Sequence, residues 1–180
     1  ELSQDYWVAI ADGTPELKYF STGMSMAGVE KMYDTSWYKE SDKVITIKTQ
    51  KQLYGLAMLS RKNDFKGQTF LLGNELDMSA YDRWVSIGTE AKPFAGAFNG
   101  QDYPIYHMTQ KTSTVYAGLF GYTKGATIQN VIVKDSTFES TTSSNAFLGG
   151  LVGGGTGKLL NSYSNAAIIS TGAGVGGLIG

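Results

Sequence analysis

The chain contains no cysteine and only one histidine, His107, among its 180 residues. The first absence excludes disulfide bridges and every zinc or iron–sulfur site that needs thiolate ligands. The second excludes a metal site built on two or more imidazoles, and any Ser-His-Asp triad would have to use His107. We interpret His107 as a hydrogen-bonded residue in the middle of a strand, because no candidate nucleophile is tied to it.

A positive charge excess is also missing, since 15 lysines and arginines stand against 16 acidic residues for a net charge of -1. This balance lacks the basic footprint of a nucleic-acid-binding protein, so we expect no nucleic-acid partner. No apolar run approaches the roughly 20 residues of a membrane helix, and we expect no membrane insertion. The start of the chain has no export-signal pattern, so we expect any such signal to lie outside this segment.

Glycine is abundant and unevenly distributed. Of 23 glycines, 14 lie between Ala117 and Gly180, whereas only five of the 31 charged residues lie there. Those five are Lys124, Lys134, Asp135, Glu139 and Lys158. The two parts of the chain therefore differ in construction.

The glycine-rich part repeats a short motif, small-Gly-Leu-apolar-Gly, at 117–121 (AGLFG), 149–153 (GGLVG) and 176–180 (GGLIG). A second element follows the first two copies, at 127–133 (TIQNVIV) and 158–164 (KLLNSYS), and it aligns Asn130 with Asn161. We interpret FAGAFNG at 94–100, followed by YPIYHMT at 103–109, as an earlier and looser copy.

Each repeat holds short runs rich in β-branched and aromatic residues, separated by Gly, Asn, Ser and Thr, which predicts strand–turn–strand units. One unit cannot bury its own apolar face, and a repeat of roughly 20 to 35 residues suits one coil of a parallel β-helix. We therefore predict an all-β, right-handed parallel β-helix (β-solenoid) in which Leu119, Leu151 and Leu178 lie one above another. The glycines would form tight corners and allow adjacent coils to approach closely.

A short helix is predicted at about 49–62. Thr49 and Gln52 form a capping-box pattern, and Leu53, Leu56 and Ala57, with Ser60 next, follow the spacing of one buried stripe. Because a stack of coils needs a cover over its open end, we expect this helix to be the N-terminal cap. The run Thr69–Leu72 would then be the first strand of the solenoid.

These strings resemble the GLUG-motif repeats of large bacterial surface proteins, in which Gly-Gly-Leu-apolar-Gly precedes an apolar-X-Asn segment and a Ser-rich strand. GGLVG followed by LLNSYS is the closest copy, and the resemblance covers about Ser36 to Gly180. It implies an extracellular location on a bacterial cell surface and a role in adhesion or as a stalk, with no established catalytic residues.

The resemblance also implies a division of the chain. Residues 1–28 would be a lead-in that resembles the end of a preceding unit, and 29–64 the cap region. Residues 65–180 would be β-helix repeats, truncated inside a coil. We expect the last strand to be an unprotected edge that frays or associates end to end with another copy.

A polysaccharide-processing lyase or hydrolase is the alternative, because parallel β-helices host such enzymes. It would need clustered acids, and glycoside hydrolysis needs two carboxyl groups across one bond. In the repeat region only Asp135 and Glu139 are available; at i and i+4 of one strand they would point to the same face roughly 13 Å apart, which is too far. The sequence therefore favours a noncatalytic module.

The densest oxygen ligands could bind calcium, although Asp and Asn also initiate turns by accepting hydrogen bonds from their own backbone, and we favour turns. These residues are Asn74, Glu75, Asp77 and Asp82.

Three motif-like strings are incomplete, and we predict no cofactor. Gly172–Gly177 matches G-x-G-x-x-G without a following helix. Gly153–Lys158 resembles a phosphate loop, but Leu159 replaces the magnesium-binding Ser or Thr. Gly23–Ala27 resembles a nucleophile elbow whose final glycine is displaced to Gly28.

The chain has 11 tyrosines and three tryptophans. Exposed rings could form a platform for a glycan or protein on a host or neighbouring cell surface. Our candidates are Tyr106, Tyr122 and Tyr163. We interpret Trp37, Tyr38 and Trp84 as core residues.

Overall fold

The computed structural model describes residues 7–9, 15–17, 32–142, 146–171 and 174–180. Of the predicted lead-in, 1–28, only two short strands are described, and they pair antiparallel with Trp7 opposite Leu17. The remaining lead-in lies outside the described residues. The elements are β1 Trp7–Ala9, β2 Pro15–Leu17, β3 Val44–Ile47, α1 Gln50–Leu59, β4 Thr69–Leu72, β5 Leu76–Asp77, β6 Ala97–Asn99, β7 Pro104–Tyr106, β8 Thr109–Thr112, β9 Tyr116–Ala117, β10 Phe120–Gln129, β11 Ile132–Lys134, β12 Thr137–Ser140, β13 Phe147–Gly149, β14 Val152–Leu160, β15 Tyr163–Ser164, β16 Ala167–Ile169 and β17 Gly174–Gly176.

Strands β3 to β17 form four parallel sheets, and the chain visits them in turn. The first sheet has the order β3-β4-β6-β10-β14 and the second β5-β7-β11-β15. The third is β8-β12-β16 and the fourth β9-β13-β17. From β6 onward each circuit adds one strand to every sheet, whereas β3, β4 and β5 extend only the first two sheets. The result is a β-solenoid of about four turns, which confirms the predicted fold class.

The repeated leucines occupy equivalent positions in successive coils. Phe120 pairs with Val152, and Val152 bridges to Ile179. The residues that precede these three are Leu119, Leu151 and Leu178, which therefore lie one above another as predicted. Leu119 and Leu151 are fully buried, whereas Leu178 in the last coil is 38% exposed.

The earliest copy of the motif was assigned wrongly. FAGAFNG does not align with AGLFG, because β6 (Ala97–Asn99) pairs with Thr127–Gln129, the later half of β10. The counterpart of AGLFG in the preceding coil is the WVSIG segment at 84–88, whose Ile87 bridges to Phe120. Its serine occupies the leucine position, so the sequence similarity is hidden.

The core consists of apolar columns that run through the coils. Inward residues of the first sheet align as Phe70, Phe98, Ile128 and Leu159, and the first three are buried. Phe120 lies against Phe98 with ring centroids 5.4 Å apart. Fully burying a side chain of this size stabilises a fold by about 1.5–3 kcal/mol, so the stacked columns dominate the stability.

Helix α1 begins as predicted. The N–H of Gln52 donates to Thr49 Oγ1 at 3.3 Å. Gln52 Oε1 accepts from the N–H of Lys48 at 2.7 Å, one residue earlier than in the reciprocal capping box. The predicted stripe Leu53, Leu56, Ala57 and Ser60 is fully buried.

The solenoid begins before the helix, which corrects the predicted first strand. β3 pairs parallel with β4 (Thr69–Leu72), so α1 is the connection between the first two strands. Its Tyr54 ring stacks on Tyr81 at 5.4 Å and meets Trp84 edge-on at 5.7 Å. Trp84 lies next to β8, because its backbone N–H donates to Thr109 O at 2.6 Å. The helix therefore covers the N-terminal end of the stack.

The predicted core aromatics pack near this end. Trp84 is 3% exposed and its ring N–H donates to Gly118 O at 3.1 Å. Trp37 and Tyr38 are half-buried against Phe70 and Phe65.

Within the described part of the chain, no helix is long and apolar enough to span a bilayer.

Candidate functional site

The outer face of the second sheet carries two columns of side chains. Strand alternation turns Ile105 and Val133 into the core, where both are fully buried, and turns their neighbours outward. The apolar column contains Pro104, Ile132 and Tyr163 in successive coils. The polar column contains Asp77, Tyr106 and Lys134.

The corner that follows this sheet is a polar ladder of His107, Asp135 and Asn165. His107 and Asp135 adopt positive φ, 55° and 50°, a region where His, Asp and Asn are enriched among non-glycine residues. The N–H of Asp135 donates to Asn165 Oδ1 at 2.8 Å, and Asn165 Nδ2 donates to Asp135 Oδ1 at 3.1 Å. The side chains of this corner ladder therefore stabilise the stacking of coils.

Asp77 connects the corner to the preceding coil. Its Oδ1 lies 2.9 Å from His107 Nδ1 and accepts the N–H of Ser79 at 2.9 Å. These hydrogen bonds, that of His107 first and those of Ser79 next, lower the pKa of the Asp77 carboxyl from 3.8 to about 2. Asp77 is therefore ionised at neutral pH.

Corner and sheet together border an open groove of about 510 Å³. Its lining residues are Gln50, Glu75, Asp77, Tyr106, His107 and Asp135. Three carboxylates and the only histidine thus meet on one side of the solenoid. The groove can accept hydrogen bonds from hydroxyl or ammonium groups, and the Tyr106 ring adds an apolar surface with a polar tip.

The predicted position of His107 was wrong, because it lies at a corner after β7 and not inside a strand. The hydrogen bond expected for it is present, with Asp77 as partner. The turn interpretation of the acidic stretch is supported at Asp77, whose carboxylate accepts the N–H two residues ahead. Asn74 makes a different contact, because its Nδ2 donates to the distant Lys48 O at 3.0 Å. Glu75 and Asp82 are exposed.

A cation site built from these groups lacks a ligand set. Among the residues that the structure describes, no group of three or more His, Asp or Glu side chains is placed to hold a metal ion.

Asp135 and Glu139 do not share a strand, which corrects the predicted geometry. Asp135 lies at the corner between β11 and β12, whereas Glu139 lies within β12. Glu139 forms an ion pair with Lys111 at 2.6 Å on the third sheet. The positive φ of Asp135 turns the chain between them, so spacing along one strand does not apply.

The three candidate tyrosines do not form one platform. Tyr106 and Tyr163 lie on the second sheet but in different columns. Tyr122 packs at the fourth sheet, where its ring lies 4.7 Å from that of Tyr116, and Tyr116 stacks on Phe147 at 5.4 Å. Tyr122 therefore packs edge-on against a neighbouring ring and not beside Tyr106 or Tyr163.

Two of the three incomplete motifs lie wholly or partly on strands. Gly153–Lys158 lies inside β14. Gly174–Gly176 forms β17, while Gly172 and Ala173 lie outside the described residues, as does Gly23–Ala27.

No protein-family model matches this chain, and neither a curated protein nor a solved structure matches it. The resemblance to GLUG repeats is therefore based on the motifs themselves.

Proposed function

We propose that this chain is a noncatalytic module of an extracellular bacterial surface protein, which acts in adhesion or as a stalk. The observation that carries the proposal is the in-register stacking of Leu119, Leu151 and Leu178. Stacked coils make a rod whose side faces are available along its length, and each added coil extends it. The GLUG-like motifs support the cell-surface location.

The contact surface we propose is the outer face of the second sheet with its groove. Tyr106 and Tyr163 offer amphipathic rings, and the groove carboxylates offer hydrogen-bond acceptors. This combination fits a hydroxyl-rich glycan or a polar protein surface on a host or neighbouring cell.

The hydrogen bonds of the groove disfavour Asp77 as a general acid. A general acid works best with a pKa near the operating pH, whereas the pKa of Asp77 is lowered to about 2. The Asp135 carboxylate is held by the amide of Asn165. Both carboxyl groups are therefore already engaged in hydrogen bonds that stabilise the corner.

A glycan array and a polysaccharide digestion assay, run on the same preparation, test this proposal. Binding without turnover is the expected result, and turnover would contradict it. Silence in both assays would support a mechanical spacer. We expect Tyr106→Ala and Tyr163→Ala to weaken binding, whereas Ile169→Ala, an exposed control on the third sheet, retains it.

A polysaccharide-processing enzyme is the second candidate, and one specific observation favours it. Glu75, Asp77, Asp135 and His107 border the same groove, although they come from three separate segments of the sequence. If turnover is detected, Asp77→Asn and Asp135→Asn should abolish it while circular dichroism stays unchanged. Turnover that survives both substitutions would exclude the groove as the active site.

A further inference from the structure

The outer face of the second sheet presents an apolar surface that suits the flat side of a sugar ring. Pro104 and Ile132 pair in successive layers, and Tyr106, in the neighbouring column, lines the groove. All three residues are partly exposed. Rigid, amphipathic side chains such as tyrosine provide contact area at a small cost in conformational entropy. This surface therefore favours an occupant that presents C–H groups on one side and polar groups around its rim.

The groove beside this surface is bordered by negative charge. Glu75, Asp77 and Asp135 contribute one carboxylate each, and no lysine or arginine is among the described residues that line the groove. Lys134, which precedes Asp135 in the sequence, offsets at most one of these charges. Glu75 is exposed and forms no hydrogen bond or ion pair with any other described residue. The groove therefore favours a cationic occupant over an anionic one.

The carboxylates are spread over three layers of the stack. Asp77 pairs with Tyr106, and Tyr106 pairs with Lys134, the residue before Asp135. Neighbouring strands lie about 4.7–4.9 Å apart, so roughly 10 Å separates the layer of Asp77 from that of Asp135. A single ammonium group reaches only one of these layers, whereas an oligomer with an amine on every unit places a cation near both. Charge complementarity thus favours a repeating cationic ligand.

We propose that this face binds a glycan of free amino sugars, whose ring faces lie on Tyr106 and whose ammonium groups contact Glu75 and Asp135. The inference rests on the proposed function, because it names the class of glycan that the contact surface takes. Ammonium groups donate charge-assisted hydrogen bonds to carboxylates, and a cation over the Tyr106 ring gains a further attraction. N-acetylation removes the charge of the amine, so the acetylated form of the same glycan binds more weakly.

Isothermal titration calorimetry with three matched hexasaccharides tests this proposal. They are a β-1,4-linked glucosamine hexamer, its fully N-acetylated form, and the glucose hexamer, which carries a hydroxyl group in place of each amine. At low ionic strength the glucosamine hexamer should bind about tenfold more tightly than the other two, because two exposed ion pairs strengthen binding roughly two- to fivefold each. Added salt should reduce this difference.

Charge-removing variants locate the site. Glu75→Gln and Asp135→Asn nearly keep the size of the side chain, and each should weaken binding of the glucosamine hexamer about two- to fivefold. Glu90→Gln is the matched control, since Glu90 is exposed and lies near Tyr116 at the fourth sheet, outside the groove. This control should bind like the wild type, and the circular dichroism spectrum should be unchanged in all three variants.

Equal binding of the three hexasaccharides would overturn the proposal, as would binding of the glucosamine hexamer that is insensitive to Glu75→Gln and Asp135→Asn. A lysine hexapeptide that binds as tightly as the glucosamine hexamer would also overturn it and would indicate a basic protein surface as the partner. A glycan array that reports only neutral glycans would exclude the amino-sugar ligand and leave the adhesive function in place. An array without any bound glycan would count against the adhesive function itself, so the two failures are distinguishable.

Discussion

Gly153, the last glycine of GGLVG, is a position where one added methyl group should destabilise the stack of coils. A Cβ there would lie 2.5 Å from the N and 2.9 Å from the O of Ala117, and 2.8 Å from Gly121 O. All three atoms belong to the backbone of the preceding coil. The same close approach occurs one coil earlier, where a Cβ on Gly121 would lie 2.6 Å from Gly88 O. The Gly153→Ala substitution should therefore push two coils apart.

The expected loss of stability depends on whether the atoms that contact the new Cβ can move away. Overpacking a well-packed core costs about 1–3 kcal/mol, and flexible side chains usually absorb part of it. Here the contacts are backbone atoms that are fixed by the hydrogen bonds of the sheets, so we expect the upper end, about 3 kcal/mol. For a chain of this size that lowers Tm by roughly 6 to 12 °C.

Urea unfolding of the wild type and two variants measures this effect. Gly177→Ala is the control, because a Cβ at this position of GGLIG meets nothing within 4 Å. We expect Gly177→Ala to be neutral, or stabilising by the ~0.4–1 kcal/mol that reduced chain entropy can give. A Gly153→Ala variant within about 0.5 kcal/mol of the wild type would refute the close approach of coils.

Three further predictions concern stability. Thr49→Ala removes the helix N-cap and should cost about 1 kcal/mol in urea unfolding, whereas Thr49→Ser should cost less. Phe138→Ala empties a fully buried position of the third sheet and should cost about 3–5 kcal/mol, measured by the same method. The pKa of Asp77 is lowered from 3.8 to about 2, so its contribution to stability is complete above pH 3.8 and is lost as the pH falls towards 2. Asp77→Asn can still accept the Ser79 N–H, and its unfolding free energy should fall less across this window; equal slopes for both proteins would contradict the assignment.

The solenoid itself was predictable because similar strings repeat at about the length of one coil. Stacking favours apolar side chains at the same position in each layer, so Leu119, Leu151 and Leu178 stay recognisable. Where the residues of a layer depart from the pattern, the sequence predicts the wrong alignment of that layer. Ser86 stands at the leucine position, and Gly96 in FAGAFNG imitates the motif from a different part of the coil.

The corners were harder to predict than the strands. His107 follows a β-rich run, and nothing in the local sequence indicates that its φ is +55°. The turn at Asp135 was missed for the same reason, because a single left-handed residue can turn the chain without glycine or proline. A corner made of one residue leaves too short a polar stretch for pattern analysis to detect.

The groove could not be predicted from local spacing at all. Its residues belong to the start of α1 and to three successive layers. Those of the layers meet only because Asp77 pairs with Tyr106 and Tyr106 with Lys134. Since the side-chain period of a strand is two, a shift of one residue in either pairing would turn these groups into the core. The register of the second sheet therefore decides whether a site exists.

The same register links the proposed activities to the construction of the rod. Inward columns of large apolar residues fix each coil over the last, which leaves the outward columns free to vary from layer to layer. Asp77, Tyr106 and Lys134 differ in chemistry although they occupy one column, while Phe98 and Ile128 beneath the neighbouring sheet differ only in shape. A binding surface on such a fold can therefore change without loss of the core, provided that the corner glycines and the buried rows are kept.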